Sequence, residues 1–309
     1  MQSRSEIVVA IPCLDEERTV GTVVRAFRAQ LPDARIVVID NGSTDGTARV
    51  AEEAGATVLR ESRRGKGFAI RAMLDRIEAD FLVMVDGDDT YPAEAVHALL
   101  EPARRGVADM VVGARLAAPE EGSFRPLHVA GNRLIRTLIN TIFRTNLTDI
   151  LSGYRVFARR AQDYVPVVSS GFEIETELTA QVLGLGLTIV EVPVAYRARP
   201  EGSTSKLDTF GDGFRVLWKI FTLVRDFKPL TFFGALALVF ALLSGLAGIP
   251  PILDYARERY VYHVPLAVLA SGLGLVSGGT LLLGVLLHVL STRFRELHSV
   301  LVRRGSRDR

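Results

Sequence analysis

The sequence predicts an α/β domain built on a mostly parallel sheet, followed by a hairpin of two membrane-spanning helices. Three observations predict it. Apolar, β-branched runs alternate with helical patterns through the first 115 residues; clusters of Asp and Glu follow several of those runs; and two long windows near the C-terminus carry no Asp, Glu, Lys or Arg. Runs that are apolar at nearly every position suit strands covered on both faces, as in a parallel sheet flanked by helices.

The elements follow in order. Strands are expected at Ile7–Ile11, Ile36–Ile39, Thr57–Leu59, Phe81–Val85 and Met110–Val112, with helices at about 16–30, 45–54, 67–78 and 92–104 between them. Right-handed crossovers would bring the C-terminal ends of these strands to one edge, where such sheets bind ligands. A helix over 127–147 carries Arg133, Arg136 and Arg144 beside an apolar side of Leu134, Leu138 and Ile142. A short strand near Tyr154–Phe157, a helix at 172–185 and a last strand at Leu187–Val194 complete the domain.

From 207 to 224 a stripe of Leu207, Phe210, Phe214, Leu217, Phe221 and Val224 reads as an amphipathic helix lying on a membrane surface. The charge-free windows run from Pro229 to Leu253 and from Tyr260 to Thr292. Each exceeds the roughly 20 residues needed to cross a hydrocarbon core of about 30 Å. Gly274 and Gly278 form a GxxxG in the second window, a pattern that lets helices approach closely. The expected organisation is therefore a catalytic domain at 1–206, a juxtamembrane helix at 207–228, a hairpin at 229–292 with spans near 229–253 and 262–290, and a basic tail at 293–309.

Charge predicts the orientation. The segment 291–309 holds six arginines against Glu296 and Asp308, and Arg215, Lys219, Arg225 and Lys228 precede the first span. The loop 254–259 is balanced, with Asp254 and Glu258 against Arg257 and Arg259. This is a positive-inside pattern with the domain and the C-terminus in the cytoplasm, and Tyr255, Tyr260 and Tyr262 are placed as interfacial aromatics on the far side. The N-terminal apolar run is too short for a secretory signal. One cysteine, Cys13, suits a reducing compartment. The net charge of +2 says little by itself, but the clustering of basic residues beside the membrane suggests attraction to anionic headgroups, and no nucleic-acid partner is expected.

Chemistry concentrates after the strands. Val85-Asp86-Gly87-Asp88-Asp89 places three carboxylates within four residues, which would repel one another without a cation. Such oxygens suit a hard divalent ion that also grips a diphosphate. Asp40 closes the second strand, where a carboxylate can read a nucleobase or ribose, and Ser43-Thr44-Asp45 supplies helix-capping chemistry behind it. Asp15 and Glu17 favour the start of the first helix electrostatically. Gly65-Lys66-Gly67 is not a Walker A loop, and the absence of GxGxxG after the first strand argues against a dinucleotide enzyme.

In this order the runs resemble the family 2 glycosyltransferases of the GT-A fold, and within them the polyprenyl-phosphate sugar synthases, a branch that includes dolichol-phosphate mannose synthase. The resemblance rests on Ile11-Pro12-Cys13-Leu14-Asp15-Glu16, Asp40 to Thr47, Asp86-Gly87-Asp88, Val112-Gly113-Ala114-Arg115, Ser152-Gly153-Tyr154-Arg155, Gly171-Phe172-Glu173-Ile174-Glu175 and Arg199 to Leu207. It implies that Pro12, Leu14, Glu16 and Asp40 line a nucleoside pocket, and that Asp86 and Asp88, flanking Gly87, meet Mg2+ or Mn2+ and the donor diphosphate. Lys66, Arg115, Arg199 and Lys206 would contact the nucleotide sugar, UDP- or GDP-linked, while Arg133, Arg136 and Ser205 would meet an acceptor phosphate. Two departures from the family pattern stand out: Asn41 replaces a frequent second aspartate, and Thr90 stands where some relatives carry glutamine.

The implied reaction is inverting sugar transfer onto a polyprenyl phosphate at the membrane, and an oligomer is compatible with it. An acceptor phosphate is already anionic, whereas a hydroxyl acceptor would need a general base, for which Asp149 and Glu175 are the candidates beside the catalytic Asp88. A hydroxyl-using glycosyltransferase and a non-catalytic scaffold are the competing readings.

Overall fold

In the computed structural model, residues 6–116, 126–167, 174–197, 221–222 and 224–305 are described. The chain divides into two compact units, Met1–Val216 and Leu217–Arg309.

The first unit is a seven-stranded sheet in the order β3-β2-β1-β4-β6-β5-β7. Its strands are β1 (Ile7–Cys13), β2 (Arg35–Asp40), β3 (Thr57–Arg60), β4 (Phe81–Met84), β5 (Met110–Arg115), β6 (Arg155–Ala158) and β7 (Ile189–Val194). β1 pairs in parallel with β2 and β4, β2 with β3, and β5 with β7. β6 runs antiparallel between β4 and β5. The expected mostly parallel sheet is present, with one reversed strand inserted in it.

Helices cover both faces, as the apolar strand runs require. They are α1 (Val20–Gln30), α2 (Thr47–Glu53), α3 (Lys66–Arg76), α4 (Val96–Arg104), α5 (Pro126–Phe143), α6 (Arg159–Tyr164) and α7 (Ile174–Gly184). Val9 and Ile11 of β1 pack with Val24 and Phe27 of α1, Ala51 of α2 and Leu99 of α4. Val8 and Ala10 point the other way, into a core with Ile70 and Met73 of α3, Ala161 of α6 and Leu178 of α7. This alternation is the period-two geometry of a strand buried on both sides.

Several local expectations change. Helix α1 begins at Val20 rather than near 16, and no acidic residue lies in its first turn. Asp15 and Glu17 instead accept from the neighbouring loop: Thr44 N donates to Asp15 Oδ1 at 2.7 Å and Gly46 N to Glu17 Oε2 at 3.1 Å. Gly46, not Asp45, is the N-cap of α2; Asp45 Oδ1 accepts the Thr47 amide at 3.0 Å, satisfying the first helical N–H from one position further out. Among the described side chains of α5 the buried ones are Ile135 and Ile139, while Leu134 is exposed and Leu138 and Ile142 are half-buried, so the apolar face is turned by about one residue from Leu134, Leu138 and Ile142. The residue pattern does not announce helix α6, whose six residues are too few to show a helical period.

The second unit contains α8 (Pro229–Glu258) and α9 (Val264–Gly305). Pro229–Glu258 and Val264–Phe294 are long and apolar enough to cross a membrane, with mean hydropathies of 2.3 and 2.0. Asp254, Arg257 and Glu258 belong to the end of α8, so the connection is shorter than the charge pattern suggested. The tail is helical to Gly305. Two serines tie the helices: Ser244 Oγ donates to the Ala270 carbonyl at 2.7 Å and Ser277 Oγ to that of Ala237 at 2.8 Å. One glycine of the GxxxG takes part in this packing: a Cβ on Gly274 would come 3.3 Å from Ser244 Oγ, whereas one on Gly278 would meet nothing within 4 Å. Among the glycines the tightest approach is Gly284, where a Cβ would come within 2.7 Å of Phe233 Cβ. Most of the 207–228 helix lies outside the described residues.

Candidate active site

Because β1, β2 and β4 are parallel, Cys13, Asp40 and the Val85-Asp86-Gly87-Asp88 segment emerge at one edge. The reversal of β6 brings its first residue to the same edge, where Arg155 pairs with Met84 and Val112. The Cys13 thiol records how much negative charge converges there. Burial pushes its pKa well above the ordinary thiol value, and Glu16, Asp86, Asp40 and Asp88 push it further. It is a neutral filler packed against Gly87, where a Cβ would come 2.5 Å from Cys13 Sγ.

The loops after β1 and β2 form one block. Asn41 N donates to the Cys13 carbonyl (2.9 Å), Glu16 N to Thr47 Oγ1 (2.8 Å) and Asp15 N to Ser43 Oγ (3.0 Å). Asp40 is buried, and its Oδ1 accepts the Ser43 amide at 3.0 Å. Thr19 Oγ1 lies 3.3 Å from Glu16 Oε2 and 2.7 Å from the Gly87 carbonyl, linking this block to the carboxylates after β4. Pro12 is buried in the strand opposite Ile39, and Leu14 is half-buried.

Asn41 explains one departure from the family pattern. Its Nδ2 donates to the Arg63 carbonyl at 2.7 Å while its Oδ1 accepts the Gly65 amide at 2.7 Å, so one side chain both donates and accepts, which a carboxylate cannot do. It thereby fixes the residue preceding Lys66. The Lys66 ammonium sits 2.6 Å from Asp86 Oδ1 and 2.6 Å from Glu175 Oε1. Burial alone would lower its pKa, but the two carboxylates outweigh burial and hold it above the ordinary lysine value. Glu175, one of the two general-base candidates, is 5% exposed.

Asp88 is also buried, and its Oδ1 accepts from Thr90 Oγ1 at 2.6 Å, so threonine at the second departure orients the carboxylate. Gly153 makes room for Asp86: a Cβ there would overlap the Asp86 carboxylate. Tyr91 Oη accepts the Gly153 amide at 3.1 Å and stacks edge-on against Tyr154 and Tyr196. The donor set, two carboxylates separated by one glycine, suits a hard divalent ion. Among the described residues no three His, Cys, Asp or Glu side chains form a complete cage. Such an ion would therefore complete its shell with diphosphate oxygens and water, as Mg2+ typically does.

Arg115 closes the edge from β5. It grips Asp149 at both oxygens, Nε to Oδ2 at 2.7 Å and Nη2 to Oδ1 at 2.9 Å, and lies over the Tyr196 ring. Asp149 is further held through its backbone N–H, which donates to Glu191 Oε1 at 2.8 Å. Burial would raise the Asp149 pKa, but the Arg115 hydrogen bonds reverse this and leave it below the usual aspartate value.

Arg155, to which sequence reasoning gave no role, is fully buried. Its donors reach the carbonyls of Ser152 (2.9 Å), Ile150 (2.8 Å) and Glu175 (3.0 Å) and the Thr179 hydroxyl (3.1 Å). A charged residue opening an apolar strand was the available signal. Of the acceptor candidates, Arg133 is exposed and Arg136 donates to the Thr148 carbonyl at 3.0 Å, beside Asp149. Arg199, Ser205 and Lys206 lie outside the described residues.

A mostly parallel sheet with carboxylates gathered at the ends of its strands is the arrangement that the resemblance to GT-A glycosyltransferases implies. Solved structures agree on the fold: glucosyl-3-phosphoglycerate synthase from Mycobacterium tuberculosis, in complex with Mn2+ and UDP-glucose, superposes with a TM-score of 0.57 at 23% identity, over 71% of this chain and 78% of that one. Residues 8–164 match the family described as Glycosyl transferase family 2, and the chain belongs to that family. Glycosyltransferase AglJ of Haloferax volcanii is 35% identical over 301 residues, covering 96% of this chain and 97% of the relative. The dolichyl-phosphate hexose transferase of the same organism is 30% identical over 210 residues, 67% of this chain and 89% of the relative.

Proposed function

We propose that this glycosyltransferase moves a sugar from a nucleoside diphosphate donor to the phosphate of a polyprenyl lipid, with inversion at the anomeric carbon. The observation that carries this reading is that both carboxylates offered as general bases are already engaged, Asp149 by Arg115 at 2.7 Å and Glu175 by Lys66 at 2.6 Å. A hydroxyl acceptor must lose a proton as it attacks; an acceptor phosphate need not. The likeness to a dolichyl-phosphate hexose transferase supports the same acceptor class.

In this reading an anionic phosphate oxygen attacks the anomeric carbon, the bond from that carbon to the donor's diphosphate oxygen breaks, and the nucleoside diphosphate leaves with the electron pair. Pro12, Leu14, Glu16 and Asp40 shape the nucleoside pocket. Asp86 and Asp88 would hold Mg2+ or Mn2+, which when bound stabilises charge on the departing diphosphate; Mn2+ accompanies UDP-glucose in the structural relative. Lys66 adds positive charge at the same edge, Arg115, held by Asp149, is assigned to the nucleotide sugar, and Arg133 and Arg136 to the acceptor phosphate. Arg199, Ser205 and Lys206 are assigned to phosphate contacts on the sequence resemblance.

The apolar helices α8 and α9 anchor the chain in the membrane, with the catalytic domain and C-terminus on the cytoplasmic side, as the basic residues flanking the spans favour. Tethering confines the search for a lipid headgroup to the membrane surface. The test is to incubate membranes containing the protein with labelled UDP- and GDP-sugars and a short polyprenyl phosphate. A lipid product cleaved by mild acid is expected. An acid-stable glycolipid, formed on a hydroxyl acceptor, would refute the phosphate assignment.

A further inference from the structure

Lys66 opens α3, and a lysine side chain at that position has four bonds about which to turn. An ammonium meant to meet a diphosphate is useful only if it is already held in place. Two carboxylates hold it: Asp86, on the segment after β4, and Glu175, on α7. Glu175 is itself fixed, because its backbone carbonyl accepts from Arg155 Nη2 at 3.0 Å and from Thr179 Oγ1 at 3.0 Å.

The two partners differ in what a donor complex would ask of them. Asp86 is assigned to a cation, and its oxygens would turn toward that cation when the diphosphate arrives. A lysine paired with Asp86 alone would then lose its anchor. Glu175, 5% exposed, keeps the ammonium in place through that exchange.

We infer that Glu175 is a positioning residue for donor binding: it holds the Lys66 ammonium at the edge where the diphosphate docks, and it does not accept a proton from the acceptor. This rests on the nucleotide-sugar reading above, and the experiment separates the two. The full-length protein in detergent is titrated with Mn2+–UDP and Mn2+–GDP by calorimetry, as wild type, Glu175→Gln, Lys66→Met and the double variant, and the pH profile of transfer is recorded for each.

Each single variant should weaken the nucleoside diphosphate that the wild type binds by roughly ten- to a hundredfold, the usual effect of losing a supporting partner. The double variant should bind no more weakly than Lys66→Met, because the two residues act as one unit. The pH profile of residual transfer by Glu175→Gln should keep the wild-type shape. Wild-type binding by Glu175→Gln, with turnover lost together with the acidic limb of the profile, would make Glu175 a base and overturn the inference alone. Losses that multiply in the double variant would overturn it too. The double variant removes the Lys66 and Glu175 charges together, so that neither is left buried without the other and only Asp86, which the Mn2+ of the titration would engage, loses a partner; it reports even if a single variant unfolds, and wild-type affinity in it would also count against the inference. Failure of the wild type to bind either nucleotide would overturn the donor reading and this inference with it.

Discussion

Gly153 stands so close to Asp86 that a Cβ on it would collide with the Asp86 carboxylate. The glycine two residues before β6 is thus required by the carboxylate after β4. Substitution Gly153→Ala should displace Asp86 and weaken Mn2+ binding by roughly ten- to a hundredfold, measured by electron paramagnetic resonance of the free ion. Unchanged Mn2+ affinity would show that Asp86 is not a ligand.

Asp88 gives the second test. Asp88→Asn keeps an acceptor for Thr90 Oγ1 but loses the negative charge. Sugar transfer should fall by at least about a hundredfold, as when a group stabilising transition-state charge is removed, while the protein still sediments with membranes. Transfer at wild-type rate would refute the cation assignment.

Asn41→Leu removes a donor and an acceptor together. The Gly65 N–H and Arg63 carbonyl would lose their partner, at a cost of about 1–3 kcal/mol. That corresponds to a melting temperature lower by roughly 3–10 °C for a unit of this size. Nucleotide binding should weaken as well, because Lys66 follows the freed segment.

Arg155→Met should be the most destabilising of these changes. It strands the carbonyls of Ile150 and Ser152 and takes one of two side-chain donors from that of Glu175, at about 3–5 kcal/mol in total. Arg155→Lys should not restore stability, since three ammonium donors cannot reproduce the guanidinium fork. Thermal unfolding of the two variants side by side decides this.

Glu61 supplies a pH dependence. Its side chain is buried, and Arg63, first through its guanidinium and then through its amide, lowers its pKa to about 2. An unfolded glutamate titrates near 4.3. The folded-state value is depressed, so this contribution is complete above about pH 4.3 and is lost as pH falls through about 2. Glu61→Gln should therefore show a shallower fall in melting temperature between pH 4.5 and 2 than the wild type.

Much of this architecture was legible from residue patterning. Strands such as Ile36–Ile39 and Phe81–Val85 announce themselves because burial on both faces demands apolar residues at every position. The direction of β6 does not, since a four-residue apolar run reads the same in either sense and only its pairing with Met84 and Val112 reveals it. Asp86, Asp88 and Asp40 stand out because acidic residues after apolar strands have few structural uses. Their supports are less visible. Glu175 resembles any polar helix position until α7 is packed, and Arg155 acquires its partners only when the loop at 150–152 and α7 meet around it. Asp15 and Glu17 lie close enough to a helix start to suggest dipole stabilisation, yet tertiary contact with the 44–46 loop claims them.

Helix α9 runs for 42 residues without a break. At about 1.5 Å per residue it is roughly 63 Å long, twice a hydrocarbon thickness of about 30 Å. Its basic end is therefore a stiff spoke rather than a loose leash. Any tilt of the apolar half swings Arg303 and Arg304 through a wide arc, and a probe fixed there reads the inclination of the rod directly.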